Sequence, residues 1–221
     1  MHRCICAARE HRLLQRATNR CMGLLRRLYR KIWSRRLHNR NMSIISNNCC
    51  AGIMYHDLGQ KFDSPTINLW IPDEYFFEFL DHLEYYVHAE PEQIFPEGIP
   101  YPVGRIKRGE KEIHLHFMHY KSFSSACQKW LERGRRIDPD HMYLVFNTTD
   151  NKYLDQFLAL EYDHKVMLTR YDRQMPIPDN VIDMPVYRHS AEPGIILKYK
   201  SLISFKRWLD DFDYVSFLNQ T

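Results

Sequence analysis

Two short stretches hold residue types that chemistry uses. The first is Ser46-Asn47-Asn48-Cys49-Cys50-Ala51-Gly52, set where the apolar pair Ile44-Ile45 hands over to a helical pattern. Side-chain amides, a hydroxyl and two thiols converge there at the carboxyl end of a predicted strand. In open α/β sheets that edge is where ligands sit, and backbone N–H groups opening the following helix favour a phosphate or carboxylate. The same field would lower a thiol pKa and make Cys49 or Cys50 a nucleophile. The alternative is structural, because cysteine is readily buried and paired asparagines form turns and caps. The second stretch is Glu112-Ile113-His114-Leu115-His116-Phe117-Met118-His119-Tyr120. Strand alternation places His114 and His116 on one face and Ile113, Leu115 and Phe117 on the other. His-x-His is a zinc-ligand spacing that His119 could extend, but a third ligand is not assured, no H-E-x-x-H or cysteine pair supports it, and no metal is expected. His119 and Tyr120, at the strand's end, suit acid–base or hydrogen-bonding roles in a cleft shared with the first stretch.

Two further groups could line that cleft: His56 of Tyr55-His56-Asp57, on the helix after the first loop, and Ser64 and Thr66 of Asp63-Ser64-Pro65-Thr66. His56 and Asp57 point in different directions on a helix and cannot form a dyad by adjacency. The chain lacks a serine nucleophile elbow, a Walker loop, a glycine-rich dinucleotide fingerprint and a D-x-D motif, which removes the most easily read enzyme classes. No cofactor is expected.

The elements that must position these groups read as an α/β layered sheet flanked by helices, with a basic N-terminal helical extension. Strands are predicted at 43–46, 66–71, 112–119, 142–146 and 165–169. Helices are predicted at 73–88, with Asp73 as N-cap and Pro91 beyond its end, and at 122–136, 153–160 and 204–218. The proline-containing segment 170–193 reads as loop.

The formal charge of +4 hides an asymmetry. Residues 1–42 carry twelve basic residues and Glu10 as the sole acid, while the remainder is net acidic. The expected division is a basic amphipathic extension, 1–41, and a single α/β domain, 42–221, whose core needs nothing from the extension. Leu14, Ala17, Cys21, Leu25, Leu28 and Ile32 make one apolar stripe at three- and four-residue steps, with arginines on the opposite side. Such a helix suits an anionic membrane surface. Phosphate neutralisation on nucleic acid, which is not the expected partner, and simple packing on the domain are the alternatives. No apolar run approaches the roughly 18 residues of a membrane span, no secretory signal is visible, and the cysteines read as reduced thiols. The expected location is cytoplasmic, with the extension allowing a peripheral place at the inner face of the membrane.

The string Ile44-Ile45-Ser46-Asn47-Asn48-Cys49, Gly52, Tyr55-His56-Asp57-Leu58-Gly59 and Phe62-Asp63-Ser64-Pro65-Thr66-Ile67-Asn68-Leu69 resembles the opening of the bacterial family called domain of unknown function 1919. The resemblance continues through Leu83-Glu84-Tyr85-Tyr86, Tyr101-Pro102-Val103-Gly104, His119-Tyr120-Lys121-Ser122-Phe123, Lys129-Trp130 and Arg133. It covers nearly all of the chain after Met42 and leaves the basic front outside. Cys49 matches the family cysteine and Cys50 stands at a variable place, while Ala51 replaces a common glycine. Members often carry the label exopolysaccharide biosynthesis protein, so the resemblance implies an α/β fold and a place in capsule or surface-glycan assembly. The resulting expectation is a transferase, glycosyl or acyl, acting on an activated sugar or surface-glycan precursor. His119 and Cys49 are its catalytic candidates, and Asn47, Asn48, His56, Ser64, Thr66 and Tyr120 its binding residues. The alternative is a non-catalytic accessory that binds a glycan precursor or an assembly enzyme.

Overall fold

The computed structural model of the protein describes residues 21–220. In chain order these form α1 (21–36), β1 (Ser43–Ser46), α2 (Cys50–Leu58), α3 (Asp73–Asp81), α4 (Leu83–His88), β2 (Glu92–Ile94), β3 (Val103–Arg108) and β4 (Lys111–His116). They continue as α5 (Phe123–Gly134), β5 (Met142–Asn147), α6 (Leu154–Leu158), β6 (His164–Thr169), β7 (Val181–Asp183) and α7 (Tyr214–Leu218). The fold is α/β. A four-stranded parallel sheet runs in the order β1-β5-β6-β7, and a three-stranded antiparallel sheet runs β2-β3-β4.

Both faces of the parallel sheet are covered, which is why its strands are nearly continuous apolar runs. On one face Ile44, Tyr143, Val145, Val166 and Leu168 pack with Met54, Tyr55 and Leu58 of α2 and with Tyr214 and Leu218 of α7. On the other, Ile45, Leu144, Phe146 and Met167 pack with Phe76 and Phe79 of α3, Trp130 of α5 and Phe157 of α6. The chain therefore leaves β1 toward one face and its neighbour β5 toward the other.

Strand β1 lies at the sheet edge, where open backbone groups would invite pairing with another chain. They are closed from within. The Tyr55 hydroxyl accepts from Ile44 N–H and donates to Met42 C=O, both at 2.9 Å, and Thr66 Oγ1 accepts from Ser46 N–H at 3.1 Å. Ile71 N–H then donates to Asn47 C=O at 2.8 Å. The segment expected as a strand at 66–71 is thus irregular, and only Trp70 pairs, through a reciprocal bridge to His116 that ties it to the antiparallel sheet. The helix expected at 73–88 breaks at His82 into α3 and α4. Of the helix expected at 204–218, a 3-10 turn and α7 form, and β7 lies inside the presumed loop 170–193. Gly134 marks a close crossing of α4 and α5: a Cβ there would stand 2.3 Å from Val87 C=O.

Helix α1 is part of this body. Trp33 and Leu37 join the first core face, and Asn39 bonds the Tyr143 hydroxyl and the Leu218 carbonyl. Arg26, only 5% exposed, pairs with both Asp57 and Asp210. Asp57, at the carboxyl end of α2, also meets Arg30 at 3.2 Å and Arg207 at 2.8 Å. The boundary expected between residues 41 and 42 falls inside this packing, because Arg26 and Arg30 of the ion cluster and the core side chains Trp33 and Leu37 come from before it. The stripe expected to pack or bind is turned outward: Cys21, Leu25, Leu28 and Ile32 are exposed, while Leu14 and Ala17 lie outside the described residues. Removing one partner of a buried ion cluster strands the others without compensation. Asp57→Ala is therefore expected to cost about 3–5 kcal/mol in urea unfolding. A chain beginning at Met42 should melt well below the full-length protein. A loss under about 0.5 kcal/mol, the range of ordinary surface substitutions, would contradict the docking of α1.

Candidate functional site

At the carboxyl end of the parallel sheet the Asn47 carboxamide acts as one more residue of the β1–β5 ladder. Its Nδ2 donates to Asn147 C=O at 2.9 Å and its Oδ1 accepts from Asn147 N–H at 3.0 Å. The same Nδ2 donates to Asp73 Oδ1 at 2.9 Å, and Thr148 Oγ1 donates to Asp73 Oδ2 at 2.5 Å. Tyr187 donates to Asn147 Oδ1 and, at 3.0 Å, to Pro193 C=O. Asn47, Asn147, Thr148 and Tyr187 are buried and Asp73 is half-buried. Burial pushes the Asp73 carboxyl above the ordinary aspartate value, against the bonds from Thr148 and Asn47 that favour its charged form. Adjacent parallel strands whose chains depart to opposite faces open a crevice at their carboxyl ends, the usual ligand position in open α/β sheets. Asp73 stands at the carboxyl ends of β1 and β5, where the two chains part.

Beside it, α2 opens on Cys49. Asn48 Oδ1 accepts from Cys50 N–H at 3.0 Å and Ser46 Oγ from Ala51 N–H at 3.2 Å. Two amides expected to hold an anion are thus already capped by the chain itself. The Cys49 thiol reaches Leu69 C=O at 3.8 Å, and burial pushes it up to about 11. Cys50 is fully buried and its thiol is pushed well above the ordinary value. The expected lowering of a thiol pKa at this helix start is therefore reversed, because loss of water outweighs whatever field the capped turn retains.

The segment carrying Leu69 also meets the second motif. Tyr120 donates to Ile67 C=O at 3.0 Å and accepts from Arg133 Nη1 at 2.8 Å, while His119 N–H donates to Asn68 C=O at 3.4 Å. Asn68 between them has φ +63°, a left-handed conformation that costs a non-glycine residue energy and gathers at functional sites. Arg133 is 8% exposed and lies over the Phe62 ring at 5.3 Å. It has no carboxylate partner among the described residues. Its charge favours an anion nearby.

The structure thus brings Cys49, His119 and Tyr120 to one short segment, and Asn47 to Asp73 next to it. Asn48 serves as a cap. Ser64 and Thr66 are buried and bond each other at 3.0 Å, with Thr66 closing the β1 edge. His56 is exposed at the far end of the nine-residue α2, roughly 10 Å along the axis from Cys49, and stays out of the group. His114 bonds Glu112 at 2.9 Å, and the buried His116 ring lies tilted against Trp70 with centroids 4.7 Å apart, its pKa lowered by burial. Sequence reasoning missed Asp73, read as a helix cap, and Asn147, Thr148, Tyr187 and Arg133. The polar run Asn147-Thr148-Thr149-Asp150 directly after a buried strand was the available signal. A cavity of about 570 Å³ lies at the opposite end of the sheet, against Met142 and His164, and is walled by Asp81, Asp140, Glu161 and Asp163. That acidic lining does not suit an anionic ligand.

The family model described as Domain of unknown function (DUF1919) matches residues 22–219, and the chain belongs to that family. The match starts within α1, so the basic front lies outside the family only before residue 22. A Haemophilus influenzae (strain ATCC 51907 / DSM 11121 / KW20 / Rd) protein named "Uncharacterized protein" is similar, 29% identical over 188 residues, which is 84% of this chain and 87% of that one. No helix among the described residues is long and apolar enough to cross a membrane.

A thiol titrating near 11 is protonated throughout the neutral range, so its alkylation rate must keep climbing with pH. Iodoacetamide labelling of the Cys49 peptide, followed by mass spectrometry, should rise through about pH 10. Levelling off at or below about 8.5, the free-cysteine value, would show an activated thiolate instead.

Proposed function

We propose that the crevice at Asp73 and the neighbouring His119 surface form one site for an activated sugar or surface-glycan precursor, and that the protein is a glycosyl or acyl transferase of exopolysaccharide or capsule assembly. The observation that supports this reading is the half-buried Asp73 carboxyl, held by Thr148 and Asn47 where β1 and β5 part to opposite faces. A carboxylate whose pKa burial raises above the ordinary aspartate value is a stronger base and suits general-base work. Asp73 takes the proton of an acceptor hydroxyl, whose oxygen attacks the donor's anomeric carbon or acyl carbon as the donor's leaving group departs. His119, exposed and adjacent to the Asn68 carbonyl, supplies a proton to that leaving group. Arg133, through Tyr120, biases the pocket toward a phosphate-bearing donor. Cys49 contributes a wall and no nucleophile.

Product analysis with nucleotide-sugars and acyl-CoA donors tests the reading. Asp73→Asn and His119→Ala should each lower kcat by about 10²–10⁴, the usual contribution of a general acid or base, while Cys49→Ser stays folded and turns over measurably. Loss of turnover in Cys49→Ser, with labelled donor trapped on the thiol of the native protein, would replace this mechanism by covalent catalysis. Donor binding with no product from any donor would favour the accessory role.

A further inference from the structure

Helix α1 has two faces with opposite fates. One is locked to the body through Arg26 and Trp33, with Leu37 buried just past the helix end. The other leaves Leu24 at 59%, Leu28 at 59% and Ile32 at 58% exposure, with Leu25 beside them at 36%. Residues three and four apart are neighbours on a helix, so Leu25, Leu28 and Ile32 form one continuous outward stripe. Arg27, Lys31 and Arg35, four residues apart, run along one flank, and none has an acidic partner among the described residues. Met22 and Tyr29 border the other flank, three residues from Leu25 and Ile32. The loop carrying Leu202 and Ile203 packs against that border: Leu202 shares a cavity with Met22 and Gly23, and Phe205 lies 5.8 Å from the Tyr29 ring. Leu202 is 88% and Ile203 72% exposed.

We propose that this face, the outward stripe of α1 with the Leu202-Ile203 loop, docks on an anionic lipid bilayer surface. Apolar side chains entering the headgroup boundary beside a row of unpaired cations are the chemistry of an interfacial helix. A second copy of this chain fits less well. In a two-fold contact the basic row of one copy would face either the same row or the flank holding Lys206, so like charges would meet both ways. The docked inner face fixes the helix orientation before binding, so no ordering of a free helix is needed at these turns.

Full-length protein should sediment with vesicles of equal parts phosphatidylethanolamine and phosphatidylglycerol, fail to sediment with phosphatidylcholine alone, and be released by high salt. Leu28→Asp with Ile32→Asp, and separately Arg27→Glu with Lys31→Glu and Arg35→Glu, should weaken this about tenfold or more, with melting temperatures unchanged because all five side chains face solvent. Leu202→Asp with Ile203→Asp provides a second disruption away from the helix, should the helix variants unfold. No sedimentation, or sedimentation unchanged in folded variants of both kinds, overturns the proposal. A dimer in light scattering that Leu28→Asp dissociates, without vesicle binding, would instead assign the face to a second copy.

Discussion

The reciprocal pairing of the Asn47 carboxamide with the backbone of Asn147 holds the carboxyl end of the parallel sheet together. A side chain that offers one donor and one acceptor in the geometry of a strand neighbour lengthens the β1–β5 ladder without continuing β1 itself. That freedom matters, because β1 must end there for the chain to turn into α2 on one face while β5 feeds α6 on the other. The remaining proton of the same amide goes to Asp73, which sets the start of α3 over the crevice. Strand order, the parting of two chains and the placement of a carboxyl group thus share one side chain. A buried amide in this position is costly unless every bond is made, and here they are.

The second organising feature is electrostatic. Asp57 and Asp210 are 1% exposed at their side chains and would be prohibitive alone, so Arg26, Arg30 and Arg207 are drawn to them from distant parts of the chain. A buried ion cluster of this kind adds little net stability over an apolar replacement, but it punishes misplacement heavily. Together with the burial of Trp33, it turns the Arg26 face of α1 inward and leaves the apolar stripe outside. The result is a basic helix held rigidly on the domain with leucines pointing out, an arrangement that hydrophobic burial alone would not select.

Much of the architecture was readable from residue pattern: β1, the start of α3, β4, α5, β5, α6 and β6 follow their apolar periodicities. What escaped depends on partners far away in sequence. Thr66 reads as a strand residue by propensity, yet its hydroxyl is spent on the edge of β1, and Asn68 two residues on adopts positive φ. Strand β3 is obscured by Gly104, which packs so closely on Pro91 and Phe117 that a Cβ would stand 2.9 Å from the former, a reason no local pattern reveals. Strand β7 sits in a proline-rich stretch and forms because β6 offers it an edge. That Cys49, His119 and Tyr120 gather at one place was legible from their positions at the ends of predicted strands. Asp73 was read as a cap, since its role needs β1 and β5 to be neighbours, and Ser64 and Thr66 were read as cleft residues because hydroxyls look alike until their acceptors are known.

Asp73 is a half-buried carboxyl held in place by Asn47 and Thr148 and tuned upward by loss of water. Carbon-13 NMR titration of the Asp73 side-chain carboxyl in the intact protein measures this directly. The midpoint should lie above the ordinary aspartate value and rise further in Thr148→Val, because the bond from that hydroxyl favours the charged form. A midpoint at or below the ordinary value in the native chain, or no response to Thr148→Val, would mean that Asp73 is a solvated helix-start residue and that the crevice is not the site.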